Sequence, residues 1–535
     1  ITLILVPPIQ VTADDAQFPQ FWTRLKLLSN AGWLEVGAGS ATGYGISGSI
    51  GHAGSPTIAL LPDGKPCVAW HNRVAEVRQI YIRCWDGSLW AEVRTGSATG
   101  GGISDSTWDS WTPSIAIAAN GTIYVAWHES MVNEVYVLKW DGAQWTEVGA
   151  GSASGSGISN SQYLAEEPYI ALGPDGNPYV VWQNTDSHSA KGEIFVRRWD
   201  GNQWVEVGSG SASGGGISNT PYGDSYYPAI AIDPNGTPYV VWQETQIDDA
   251  HIYIRRWNGS AWVEIGPESA SNGGISKGSA YSFQPALAIA EDNTPYVAWE
   301  EYLDGIYVLH WNGNEWKEVG SGSASGTGIS QGFGTLASIA IDSNHHPYVV
   351  WTSNNSAVYA RRWNGSSWEE IGNGSASAEG IDDTDVYVTS PSVTVSPDGI
   401  PYVTWEAFTD PNAIYVRLGP ATLFTSPTRL AFLMQSDTEP SAKQIYIDSS
   451  AGGISWTATI SPTVSWLSIT PASGTTPAVV TATATISDAT FGIYDTHIIV
   501  EASVDTLNSL QTIDVKLVMT PEIHRFCLPM ILRSN

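Results

Sequence analysis

PAIAIDPNGTPYVVWQETQIDDAHIYIRRWNGSAWVEIG, residues 228–266, holds four short apolar runs divided by turn signals. The first run, Ala229–Ile232, is closed by Pro234-Asn235-Gly236, and the second is Thr237–Trp242. After an acidic loop the third run is Ile252–Trp257, and Asn258-Gly259 turns it into the fourth, Trp262–Gly266. Asn-Gly between alternating apolar runs is the strongest short-range hairpin signal, because both central residues take positive φ. The stretch therefore predicts a four-stranded antiparallel meander. In the second run Tyr239 and Val241 face one way and Val240 and Trp242 the other, so both faces need cover. The third and fourth runs carry Arg255, Arg256 and Glu264 and are expected to reach water. An apolar inside and a half-polar outside is the gradient along a propeller blade.

The pattern repeats. The tryptophan that opens the fourth run recurs at Trp33, Trp90, Trp145, Trp204, Trp262, Trp316 and Trp368. The one that ends the second run recurs at Trp70, Trp127, Trp182, Trp242, Trp299, Trp351 and Trp405. A four-strand unit of this length has a propeller period, whereas an immunoglobulin-type sandwich would need about 100 residues per unit. Trp33–Gly37 is a fourth strand with no blade before it, and the last unit stops after Ala413–Leu418. The early strand is thus expected to complete the seventh blade and remove its open edge. Phe21–Leu28 resembles another third strand and competes with Ala413–Leu418 for one place.

The chain has 535 residues, too many for one ordinary core, and a formal net charge of −30. That charge excludes nucleic acid and anionic membrane surfaces as expected partners, since phosphate contacts need clustered Lys and Arg. No apolar run is long enough for a transmembrane helix. The apolar start, with Ile1, Leu3, Leu5, Ile9 and Val11, has two readings: a docking strand or the remnant of a signal peptide. Either implies secretion to an extracellular or cell-surface location. Cys67 and Cys84 fall on adjacent predicted strands, which allows a cross-strand disulfide and leaves Cys527 over. No CxxC pair suggests zinc.

A nearly constant linker joins the units, as in GSASGSGIS (Gly151–Ser159) and GSASGGGIS (Gly210–Ser218). It leads from strand to strand with no helix to supply a dipole, so it reads as a flexible crossing rather than a phosphate cradle. An active site built on a repeat should break the repeat. Glu35, Glu92, Glu147, Glu206, Glu264, Glu318 and Glu370 share one slot and read as surface or inter-blade partners. His71 and His128 share another with Gln183, Gln243, Glu300, Thr352 and Glu406, which reads as solvated loop. No GxSxG, HExxH or SxDxGxTW motif occurs. No carboxylate pair is marked out for glycoside hydrolysis.

Past Pro420 the repeat ends and Thr, Ser, Val and Ile dominate short strands. Val464-Ser465-Trp466-Leu467-Ser468-Ile469-Thr470-Pro471-Ala472-Ser473-Gly474, with Gly492-Ile493-Tyr494 and the run Ile513–Val518, resembles the BACON family of immunoglobulin-like modules. That resemblance implies a small β-sandwich and an extracellular setting among carbohydrate-handling proteins. The repeat itself is similar to one widespread in secreted bacterial propellers of undefined function.

The expected architecture is all-β. An apolar tail (1–20) leads into a seven-bladed β-propeller (21–419), followed by an immunoglobulin-like sandwich (420–520) and a C-terminal tail (521–535). The segments before the first strands carry Trp108, Trp111, Tyr163, Tyr222, Tyr226, Tyr227, Tyr281, Phe283, Phe333 and Tyr387, candidates for stacking on sugar rings. Asp248, Asp249, Asp382, Asp383 and Asp385 are the candidates for calcium; no other cofactor is expected. The expected function is that of a non-catalytic structural or adhesive subunit. It would self-associate or join other surface proteins, in filaments if the tail adds as a strand to a neighbour's sheet. The alternative is a glycan-binding, lectin-like propeller. The chain is not expected to be an enzyme.

Overall fold

The computed structural model describes residues 32–519 except for 75, 186–190, 221–222, 248, 278–280, 354–356, 373, 378–379, 383–385, 398, 421–422, 435–440, 450–453, 486–490 and 503–509. The tail residues Ile1, Leu3, Leu5, Ile9 and Val11, the Phe21–Leu28 stretch and Cys527 lie outside the described residues.

Seven four-stranded antiparallel sheets follow one another, as a seven-bladed propeller requires. In the unit quoted first, the strands are Asp224–Ile232, Pro238–Thr245, Ala250–Trp257 and Trp262–Glu264. The first strand starts five residues earlier than its apolar run suggests. A β-bulge between Tyr226 and Ala229 carries the strand through Tyr227-Pro228. The seventh sheet takes its outer strand from the beginning of the chain: Leu34 pairs with Leu418 and Glu35 with Arg417. Each first strand neighbours the next, and the strand Val388–Val395 neighbours His52–Leu60, so the array closes on itself.

The second strands are buried on both faces, and their tryptophans, from Trp70 to Trp405, are at most 1% exposed. Each such ring contributes on the order of 2–3 kcal/mol by removal from water. Neighbouring blades are then stitched at the rim. The indole N–H of Trp204 donates to Val148 O at 2.8 Å and that of Trp262 to Val207 O at 2.8 Å. The closing strand repeats this contact, with Trp33 Nε1 donating to Ile371 O at 2.7 Å. Arg197 Nη1 and Arg417 Nη1 reach back to Ile158 O and Ile381 O.

The fourth-strand glutamates hold their own linkers. Glu147 accepts from Gly151 N, Ala153 N and Ser154 Oγ at 3.0, 3.1 and 2.7 Å, which fixes the turn that follows. Glycine is required beyond that turn. Gly157 sits at φ +56, and a Cβ there would lie 2.3 Å from Val135 O. The linker therefore lies against its own blade's third strand, with Ile158 N donating to Val135 O at 2.9 Å.

Cys67 and Cys84 face each other in register and are joined by a disulfide. Beyond Leu418, a four-stranded and a five-stranded sheet share one apolar cluster that includes Phe432, Trp456, Trp466, Ile498 and Leu517. Among the described residues there is no helix and none long and apolar enough to cross a membrane.

Candidate functional site

Each blade's antiparallel order puts two loops at one end of the ring: the segment before its first strand and the loop between its second and third strands. This end is called the upper face here. The bulges lie just below it, on the innermost strands, and line a central cavity of about 290 Å³.

At each bulge one residue takes the left-handed region although it is not glycine: Ser55, Thr112, Glu167, Tyr227, Gln284, Leu336 and Ser390, with φ between 44° and 56°. Proline follows six of them and Ala337 the seventh. Such a conformation costs about 1–3 kcal/mol per residue and persists only where its surroundings fix it. In four blades the fixing groups are the residues after the second-strand tryptophans. Gln183 Oε1 accepts from Tyr227 N at 3.1 Å, Gln243 Oε1 from Gln284 N at 3.3 Å, and Glu406 Oε2 from Ser55 N at 3.2 Å. Glu300 accepts in the same way from Leu336 N. Four slot residues thus hold the bulge of the following blade, while Thr352 pairs with Thr335 of its own blade. Their reading as solvated loop is corrected: His71, His128, Gln183, Gln243, Thr352 and Glu406 are buried and Glu300 is half-buried. Burial follows from position, since the second strand is covered on both faces up to its end.

The electrostatics follow the same geometry. Burial, reinforced by the neighbouring Glu166 charge, pushes the Glu167 carboxyl up to about 7. Burial does the same for Glu300, also to about 7, against the Leu336 N–H. His71 falls to about 4 through burial and then the Arg78 charge, and His128 to about 4 through burial.

The candidate aromatics come from different blades and do not converge on one point. Trp108, Tyr163, Tyr281 and Tyr387 are exposed on the upper face, and Tyr227 is exposed at the cavity. Trp111 is clamped, with the Arg78 guanidinium 3.8 Å above its ring and the His71 ring 5.1 Å away. Tyr226 is half-buried beside Tyr227, and Phe333 is half-buried. Tyr222 lies outside the described residues. One true cluster forms in the fifth blade: Tyr281 stacks on Phe283 at 6.1 Å, and Tyr302 stands edge-on to both. Phe408 stands edge-on to Tyr387 at 5.1 Å. Tyr302 and Phe408, in second–third loops, escaped the sequence reading, which looked only before the first strands.

Of the calcium candidates, Asp382 accepts from Val358 N at 2.9 Å in the sixth blade and takes the part that Ser159 plays for Val135 N in the second. Asp249 lies 3.3 Å from His251. Asp248, Asp383 and Asp385 lie outside the described residues. Among the described residues no three His, Cys, Asp or Glu side chains gather as a metal site would need.

No family model matches the chain, and no curated protein sequence does. Solved structures do match. A protein of unknown function from Dyadobacter fermentans is 12% identical over 70% of this chain and 95% of its own, with a TM-score of 0.40. An α-L-arabinofuranosidase from Fusarium graminearum is 12% identical over 69% and 92%, with a TM-score of 0.35. A lectin from Aleuria aurantia is 12% identical over 57% and 93%, with a TM-score of 0.35. A sialidase, an endo-arabinase and a polysaccharide lyase also match. The expectation that the chain is not an enzyme is therefore withdrawn, because enzymes acting on glycans stand among the matched folds. At such identities and scores, the likenesses assign no activity to this chain.

Proposed function

We propose that the chain binds glycans on the upper face of its propeller. One observation carries this reading: the exposed aromatic rings of the propeller's loops are gathered there. Trp108, Tyr163, Tyr281, Tyr302, Tyr387 and Phe408 all stand on upper-face loops, while the turns at the opposite end expose no aromatic ring among the described residues. A flat ring matches the apolar face of a pyranose, and an exposed apolar patch on a soluble protein marks a binding surface more often than chance. The fifth-blade cluster is the best-formed platform, since Phe283 and Tyr302 hold Tyr281 in place. The net charge of −30 favours neutral over acidic glycans.

The Cys67–Cys84 disulfide supports a secreted location, because such bonds persist in oxidising compartments. Two sheets around one core, with Trp466 and Leu467 facing it, support the reading of the C-terminal unit as an immunoglobulin-like module of the BACON type. Nothing in the described residues favours a filament-forming role.

A glycan array with the full chain tests the proposal. Wild type should retain a defined set of neutral glycans, and Tyr281→Ala should lose them while keeping its melting midpoint. Absence of binding to every glycan, or wild-type binding by Tyr281→Ala, Trp108→Ala and Tyr387→Ala alike, defeats it.

A further inference from the structure

The seven left-handed positions around the cavity pose a question of residue choice. Glycine adopts positive φ freely, and asparagine is the next best. The chain uses glycine freely elsewhere for this purpose, as at Gly155 and Gly157 in a single linker. Yet none of the seven is glycine or asparagine: they are Ser55, Thr112, Glu167, Tyr227, Gln284, Leu336 and Ser390. Around them the repeat hardly varies. Proline follows in six blades, and the second strands read Tyr-Val-Val-Trp or close to it. Side chains have been kept where a side chain is a conformational burden, and they differ from blade to blade. Positive φ without glycine also occurs elsewhere, as at Met131 and Leu303, but there on exposed loops and not at one repeated position around a cavity.

Their distribution is lopsided. Glu167, Tyr227 and Gln284 stand on three consecutive blades and give the cavity one wall of long polar side chains. Ser390, Ser55 and Thr112, on the three consecutive blades of the opposite arc, are short and leave room. Tyr169 adds a further exposed ring. No Lys or Arg lines the cavity, so an anionic ligand finds no counter-charge. The one ring carboxyl, Glu167, is pushed up to about 7 by burial and so offers a donor as readily as a charge. About 290 Å³ is at the lower limit of small-molecule sites.

We infer that this cavity binds one neutral, polyhydroxylated ring, a single sugar residue, with Glu167, Tyr227 and Gln284 as its polar wall. The inference rests on the upper face being a glycan-binding surface and gives it a separate inner subsite for a chain end.

Saturation-transfer NMR with the full chain and millimolar methyl glycosides of glucose, galactose, mannose, fucose and arabinose is the test. Wild type should bind at least one of them. Glu167→Gly, Tyr227→Gly and Gln284→Gly should each weaken that binding about tenfold or more. Their melting midpoints should stay equal or rise, because glycine relieves the left-handed backbone. Leu89→Ala, on an exposed turn at the opposite end of the ring, should bind the methyl glycoside normally. Failure of wild type to bind any methyl glycoside overturns the inference. So do glycine variants that bind as wild type does, or whose midpoints fall, since the side chains would then serve the fold. If Tyr281→Ala alone abolishes array binding and the glycine variants change nothing, the upper-face reading survives and the inner subsite does not.

Discussion

Two glycines two residues apart allow the linker's packing to be measured. Gly155 and Gly157 have nearly the same φ, +58 and +56. Alanine at either position pays the left-handed penalty of roughly 1–2 kcal/mol. The surroundings differ. A Cβ on Gly155 meets nothing within 4 Å, whereas one on Gly157 would lie 2.3 Å from Val135 O and 2.6 Å from the Tyr136 ring. The Val135 carbonyl cannot retreat cheaply, because it accepts from Ile158 N at 2.9 Å and sits in the third strand of its blade. Relief requires the linker to lift. Lifting strains that hydrogen bond, worth about 0.5–1.5 kcal/mol net, and adds an overpacking cost of about 1–3 kcal/mol. Gly157→Ala should therefore be about 2–4 kcal/mol less stable than Gly155→Ala, with the backbone term cancelled between them. Urea unfolding followed by tryptophan fluorescence reads the difference at constant m. Equal midpoints would refute the close approach of the linker to the third strand, and with it the account of why the linker is glycine-rich.

The pH profile should have two limbs. Glu300 titrates near 7 in the fold and near 4.5 unfolded, so its contribution is full below 4.5 and is lost as pH rises through about 7. Glu300→Gln keeps an acceptor for Leu336 N, as Gln183 and Gln243 do in their blades, and should match wild type at pH 5. At pH 8 it should be more stable by on the order of 1 kcal/mol, after allowance for solvent screening; equal stability at both pH values contradicts the burial account. On the acid side, burial would raise Glu92, Glu147, Glu206, Glu318 and Glu370, but N–H and hydroxyl donors outweigh it and hold all five below their ordinary value. Their stabilisation is present above the unfolded pKa and lost as pH falls through the folded one, so thermal stability should drop steeply below about pH 4; Glu147→Gln should flatten that limb slightly. The disulfide closes a loop with a sequence separation of 17, so Cys67→Ala with Cys84→Ala should lower stability by about 2–4 kcal/mol. Urea midpoints with and without reductant check this, and no change on reduction argues against the bond.

The sequence makes the ring legible and hides its middle. Tryptophans at a fixed period, Asn-Gly and Asp-Gly turns, and an unpaired Trp33–Gly37 strand specify seven sheets and their closure, because local pattern and repeat length decide them. The fourth-strand glutamates stayed ambiguous, although acceptors four to seven residues ahead of Ser and Gly donors are a turn-capping signal that could have been read. The slot from His71 to Glu406 misled, since polar residues after an apolar run look like the start of a loop. Only the neighbouring blade buries them, and for Gln183, Gln243, Glu300 and Glu406 it also supplies the backbone N–H they accept from. The left-handed ring left one trace, a proline after six of its seven members, but proline ordinarily pushes its predecessor towards extended backbone. Positive φ there comes from the bulge, a tertiary feature.

Pairing Leu34 with Leu418 and Glu35 with Arg417 has a consequence for synthesis. Among the described strands of the propeller, the one made first finds its partner last. At 5–20 residues per second the ribosome needs roughly 20–80 s to deliver the matching segment. By the end of that interval six complete blades have been made, and their arc has a free flank at each end. Trp33 cannot reach Ile371, nor Leu34 reach Leu418, until those partners have been made, so the ring can shut only after the seventh blade is translated.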